Sequence, residues 1–187
     1  MTTCEDKVYI SSNGKLATLD NVFKALVTAG GVTIQNTLVT ALDGGTGFGQ
    51  LETSTGRIYI YNNKELLKMD GFLPALTVAA SISIYSNTIL ASVPENSFGS
   101  PGGLSLGGQF TLQYNRKLTD VSGFHGIKCT NSAKCGMLWY NNDSLDQQAV
   151  CGVWDEMTGT GATDSSGNNF QRYGTGGGSN WGQEAKC

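Results

Sequence analysis

Ile58-Tyr59-Ile60-Tyr61-Asn62-Asn63-Lys64-Glu65-Leu66 places two alternating apolar residues, an asparagine three positions on and a leucine three beyond that. The same spacing recurs as Val8, Ile10, Asn13 and Leu16, as Ile82, Ile84, Asn87 and Leu90, and as Phe110, Leu112, Asn115 and Leu118. A fifth copy, Val32 and Ile34, has Thr37 at the asparagine position, and a looser sixth runs Met137, Trp139, Asn142 and Leu145. First apolar positions lie 24, 26, 24, 28 and 27 residues apart, the period of units that bury an apolar face only by stacking on their neighbours. Leu19, Leu42, Met69, Val93 and Val121 form a second apolar column, and Phe23, Phe48, Phe72, Phe98 and Phe124 a third, at steps of 25, 24, 26 and 26. Three registered columns predict a mainly β chain, a right-handed leucine-rich-repeat-like β-solenoid of about five or six coils.

Each column has a physical role in a coil that turns once per repeat and stacks at the strand spacing of about 4.8 Å. The apolar pair is a short strand with both side chains inward. Asn13, Asn63, Asn87 and Asn115 fall where the chain bends, and an inward amide there satisfies backbone groups that the bend leaves unpaired. The phenylalanines stack down the opposite wall as core. Asp20, Asp43, Asp70 and Asp120 follow the second apolar column, where a short acceptor side chain favours a turn. Residues alternating with the inward pair must face outward: Tyr9 and Ser11, Thr33 and Gln35, Tyr59 and Tyr61, Ser83 and Tyr85, Thr111 and Gln113, Leu138 and Tyr140. Five of the seven tyrosines stand there. A ring with a polar tip suits protein surfaces and sugars alike, while tyrosine and threonine are also good strand formers on a half-exposed sheet.

Composition agrees with a β-rich extracellular chain. The 187 residues suit one folded unit and are 39% hydrophobic; charged residues reach only 14%, against about 25% in typical soluble domains. Net charge is −3 and the 12 Lys and Arg are scattered, so no basic face exists for nucleic acid. No apolar run is long enough to span a bilayer, and the beginning Met1-Thr2-Thr3-Cys4 lacks a signal-peptide pattern, as in a mature or trimmed form. Cys4, Cys129, Cys135, Cys151 and Cys187 lie mainly near the chain ends and read as disulfide staples; their pairing is open, and an odd count leaves one thiol free or linked to another chain. Without Cys-x-x-Cys and with His125 the single histidine, no metal site is expected. Residues 1–151 form the solenoid and 152–187, rich in Gly, Ser, Thr and Asn, a cap or tail. Asp164 to Asn169 lacks the glycine and closing glutamate of a calcium loop. Asn142-Asp143-Ser144 is the one N-glycosylation pattern, so Asn142 is both a glycan acceptor and a ladder position.

Tyr85-Ser86-Asn87-Thr88-Ile89-Leu90 and Tyr140-Asn141-Asn142-Asp143-Ser144-Leu145, the latter leading to Cys151, resemble the receptor L-domain. This leucine-rich-repeat-like β-helix occurs in the ectodomains of the insulin and epidermal-growth-factor receptors and in fungal cell-wall proteins, and the resemblance covers about residues 6–151. It implies a non-catalytic module at the cell surface or outside the cell. With the outward face it implies a protein or carbohydrate ligand, for which Tyr9, Thr33, Gln35, Tyr59, Tyr61, Tyr85, Gln113 and Tyr140 are the candidate contacts. No cofactor is expected. No catalysis is expected either: none of the twelve outward positions is Asp or Glu, and there is no Gly-x-Ser-x-Gly, phosphate loop or cysteine with a placed histidine. A second reading is a structural subunit of an extracellular fibre or surface layer, with copies of the chain linked through its ends and Cys4 or Cys187. A third, an ice-binding surface, rests on Thr33, Ser83 and Thr111 in one column, interrupted by Tyr9, Tyr59 and Leu138.

Overall fold

A computed structural model gives the fold, and it describes residues 2–43, 47–99, 103–130 and 137–158, with the side chains of Tyr140, Gln147, Trp154 and Thr158 excepted. Within these residues the chain is a β-solenoid of about five turns. Its strands are β1 (Thr2–Cys4), β2 (Val8–Ser11), β3 (Leu26–Ala29), β4 (Val32–Gln35), β5 (Ala41–Asp43), β6 (Thr53–Tyr61), β7 (Lys68–Asp70), β8 (Val78–Tyr85), β9 (Ser105–Leu106), β10 (Phe110–Gln113), β11 (Lys128–Cys129) and β12 (Met137–Tyr140). The repeat register of the sequence is the register of the first wall: Val8, Val32, Ile58, Ile82, Phe110 and Met137 sit side by side in parallel strands. A second wall aligns Ala29, Ser54, Ala79, Leu106 and Cys129. The third is shorter, pairing Leu42 with Met69 and continuing as bridges from Lys68 to Ser92 and Ser92 to Asp120.

The walls meet at corners with fixed backbone demands. The residue just before each ladder position is left-handed: Ser12, Asn36, Asn62, Ser86, Tyr114 and Asn141 have φ between 53° and 57°. Asparagine tolerates this region better than bulky residues do, which accounts for three of the six. Between the first two walls the coils approach so closely that a Cβ on Gly56 would overlap the Gly30 carbonyl, and one on Gly30 the Glu5 carbonyl.

Inside, Asn63, Asn87, Asn115 and Asn142 are fully buried and joined in one chain of hydrogen bonds. Asn87 Nδ2 donates back to the Ile60 carbonyl at 3.0 Å, while its Oδ1 accepts from the Asn63 backbone N–H at 3.0 Å and Nδ2 at 3.3 Å. Asn115 and Asn142 repeat this pattern toward Ile84 and Leu112. Thr37 ends the chain, donating its hydroxyl to Asn63 Oδ1 at 2.8 Å. Asn13, in the first coil, is exposed: it has no earlier coil to reach, and Thr37 offers no amide to receive it. Down the opposite wall Phe23 stacks on Phe48 at 4.8 Å, and Phe48, Phe72, Phe98 and Phe124 continue the column at 5.7, 6.1 and 5.5 Å between centroids. Each such buried ring contributes on the order of 2 kcal/mol by area.

The far end is closed by a helix, α1 (Gln147–Thr158), that the repeat pattern does not announce. Asp146 Oδ1 caps it by accepting the Gln148 N–H at 3.1 Å. Val150, Val153 and Met157, spaced i, i+3, i+7, are buried against the last coil. Glu156 ties the helix to the corner after Ser122–Phe124: Oε1 lies 2.9 Å from His125 Nδ1 and Oε2 accepts the Gly126 N–H at 2.6 Å. The composition break at residues 151 and 152 therefore falls inside a helix, while residues 159–187, including the candidate calcium loop and Cys187, lie outside the described residues.

Candidate functional site

The outward face of the first wall is built in two columns. Tyr9, Thr33, Tyr59, Ser83, Thr111 and Leu138 are neighbours in one, and Ser11, Gln35, Tyr61, Tyr85, Gln113 and Tyr140 in the other. Register alone does not decide exposure. Thr33, Ser83, Thr111 and Gln113 are buried although their direction is outward, the short ones set between longer neighbours such as Tyr9 and Tyr59. The Thr33, Ser83 and Thr111 column is thus not presented to solvent as an open array. Tyr9 is the most exposed of the described side chains on this face; Gln35 Nε2 donates to its hydroxyl at 2.7 Å and to Ser11 Oγ at 3.0 Å.

At the centre of the face the tyrosines touch. Tyr59 and Tyr61, two apart on β6, are stacked at 5.5 Å and 4° between planes, and Tyr61 stacks across strands on Tyr85 at 5.1 Å and 25°. Tyr85 meets Tyr114 at 5.4 Å and 87°. Arg57 Cζ sits 5.9 Å from the Tyr59 centroid, within cation–π range, and Arg57 Nε reaches Ser81 Oγ at 3.4 Å. Burial, followed by the neighbouring Tyr61 and Tyr85, raises the Tyr59 phenol above its ordinary 10.0, with Arg57 opposing; the hydroxyl therefore stays a neutral donor through the physiological range. Tyr114 belongs to this cluster and is not among the strand-face candidates, because it occupies the corner before Asn115. The signal was present: it is the one aromatic residue in a corner column otherwise Ser or Asn. Tyr140 aligns with Gln113 along the backbone, and its side chain lies outside the described residues.

The remaining candidates are placed plainly. Asn142 is fully buried with its Nδ2, the atom a glycan would modify, donating to the Leu112 carbonyl at 2.9 Å. Asp120 Oδ1 accepts from the Ser122 N–H and hydroxyl at 3.0 and 2.7 Å, a turn role; Asp43 and Asp70 are adjacent on the third wall, and Lys68 lies 3.5 Å from Asp70. Cys129 and Cys151 are disulfide-bonded and Cys4 is a free thiol, while Cys135 and Cys187 fall outside the described residues. Among the described residues no three His, Cys, Asp or Glu side chains gather as a metal site, and no helix is long and apolar enough to cross a membrane. No protein-family model, curated protein or solved structure matches this chain.

Proposed function

We propose that the protein is a non-catalytic, receptor-L-like recognition module that works outside the cell and binds a protein or carbohydrate ligand through the tyrosine-rich face of its first wall. The observation that carries this reading is the contact chain Tyr59, Tyr61 and Tyr85 at the middle of a face whose twelve outward positions carry no charge. Strand propensity alone explains tyrosines on strands, but not their convergence into one half-buried cluster flanked by Arg57. The sparse charge and the five cysteines support an oxidising, extracellular setting. The test is an array of glycans and extracellular proteins probed with the wild-type chain and Tyr61→Ser. Signals that vanish with Tyr61→Ser support the reading; signals that are unchanged place binding elsewhere.

Assembly into fibres is the second reading, supported by the free Cys4 on the edge strand β1. Size analysis without reductant decides it: a ladder of covalent oligomers that collapses with Cys4→Ser supports assembly, and a monomer that binds on the array removes it.

A further inference from the structure

The first coil ends the solenoid on an edge strand with a self-complementary set of hydrogen-bonding groups. Among the described residues β2 pairs with β4 alone. The Val8 and Ser12 N–H groups donate to the Gly31 and Gln35 carbonyls, so by the alternation along a strand Tyr9 and Ser11 turn their N–H and C=O groups to the vacant side. Edge strands are ordinarily guarded by a charge, a proline or a bulge. Strand β1 has a shift of register between Thr2 and Thr3, whereas Val8-Tyr9-Ile10-Ser11 has no charge or proline and runs in unbroken register with β4. Gln35, bonded to the Tyr9 hydroxyl and to Ser11 Oγ, holds the outward side chains of this strand in place.

The core beneath is open on the same side. Val8 and Ile10 retain 8% exposure where Val32, Ile34, Ile58 and Ile60 have none, and Leu16 and Phe23, elsewhere on the coil, are half-buried. A single peptide strand laid on β2 would satisfy Tyr9 and Ser11 and leave Leu16 and Phe23 bare. A surface with the outline of a whole coil covers all of them. The far end of another solenoid does not supply it, because Val150, Val153 and Met157 of α1 already close the core there. The first coil of a second copy does. It carries Glu5, Asp6 and Asp20 against Lys7, Lys15 and Lys24, which cancel, so two such ends meet without the repulsion that the net charge of −3 would bring elsewhere.

We propose that two copies of the chain join first coil to first coil about a two-fold axis normal to the first wall, with β2 antiparallel to β2 of the second copy. With Ile10 on the axis, Tyr9 stands opposite Ser11 of the second copy and exchanges both N–H to O=C bonds with it, as does Ser11 with the second Tyr9, so every free donor of the two strands is used. The six first-wall strands of each copy then continue as one sheet, with both outward faces on the same side. The axis sets β1 against the third wall of the second copy, so Cys4 does not meet its counterpart and the joint needs no disulfide. With α1 over the other end of each copy, assembly closes at two. The joint does not depend on what the tyrosine face binds.

Sedimentation equilibrium without reductant, which leaves the bonded Cys129 and Cys151 intact, is run on the wild type, Cys4→Ser and Cys4→Ser with Ser11→Pro. Proline at position 11 removes an edge N–H that serves no bond within the chain, a place where a strand admits it. The expected result is a reversible monomer–dimer equilibrium that Cys4→Ser leaves unchanged and Ser11→Pro weakens at least tenfold. Amide exchange gives a second measurement that needs no change at the edge: in Cys4→Ser the Tyr9 and Ser11 amides should be protected in the dimer and lose that protection together on dilution, while Val8 and Ser12 keep theirs. If the proline variant does not fold, this exchange pattern decides. A Cys4→Ser protein that is monomeric at every concentration overturns the proposal, as does a dimer that Ser11→Pro leaves intact or in which the Tyr9 and Ser11 amides exchange freely. A covalent ladder in the wild type that collapses to monomer in Cys4→Ser overturns it in favour of the fibre.

Discussion

The first coil and the third are written in the same template and end in different physical states. In the third, Ile58, Ile60, Asn63, Leu66 and Phe72 are all fully buried, and Asn63 is bonded to the coils on both sides. In the first, Asn13 is exposed, and Leu16 and Phe23 are only half-buried, although the ladder asparagine and leucine stand at the same spacing and the phenylalanine within one residue of it. Val8, Ile10 and Leu19 are buried even in the first coil, but its ladder, leucine and phenylalanine positions are not fully covered without a coil on the other side, as stability in a stacked array is a sum over adjacent units. Thr37 deepens the contrast: its hydroxyl continues the ladder toward Asn63 but has no amide to reach back to the Ile10 carbonyl.

Removing a ring gives the widest gap between the two coils. Phe72→Ala should cost about 3–5 kcal/mol in denaturant unfolding, because it opens a hole between Phe48 and Phe98. Phe23→Ala, at the partly solvated end of the column, should cost less than half of that; equal losses would mean the first coil is as tightly packed as the third. The ladder gives the next gap. Asn87→Ala strands the buried Ile60 carbonyl and the Asn63 N–H, each costing about 1–3 kcal/mol when left unpaired, whereas Asn13→Ala should stay within about 0.5 kcal/mol. The contrast can also be narrowed deliberately. Thr37→Asn should carry the ladder to Ile10, adding about 1 kcal/mol and slowing amide exchange in Val8–Ser11; unchanged exchange would show that the first coil is loose for another reason.

The smallest effect belongs to the outer face of the third coil. Because the Tyr59 phenol is raised in the folded chain, burial being the first cause, its contribution to stability is fully present below the unfolded-state value near 10 and is lost as pH rises through the folded one. Absorbance titration should show a tyrosine ionising late, and Tyr59→Phe should remove it and flatten the alkaline fall in stability. A titration unaltered by Tyr59→Phe would assign the late group elsewhere.

Much of this was legible because a solenoid writes its walls as columns. The inward pairs, Phe48 to Phe124 and the interior asparagines follow from spacing alone, since each coil repeats the environment of the last. What was not legible depends on neighbours rather than on the template. Asn13 has the ladder residue without the ladder, a matter of position in the stack. Thr33 and Gln113 point outward and are covered, which depends on the side chains beside them. The stripe Val150, Val153 and Met157 is short and sits where composition turns to glycine and polar residues, so helix α1 was masked by the change around it. Tyr114 occupies a turn position, and alternation within strands does not speak for turns.

The ladder bonds span 26, 24, 28 and 27 residues in succession, yet each closes with the same atoms. The scaffold therefore counts turns and is indifferent to how much chain lies between them. Insertions and deletions between ladder positions alter the girth of one coil without shifting the rest, so this architecture gives evolution, or a designer grafting a new loop, room to change one coil at a time.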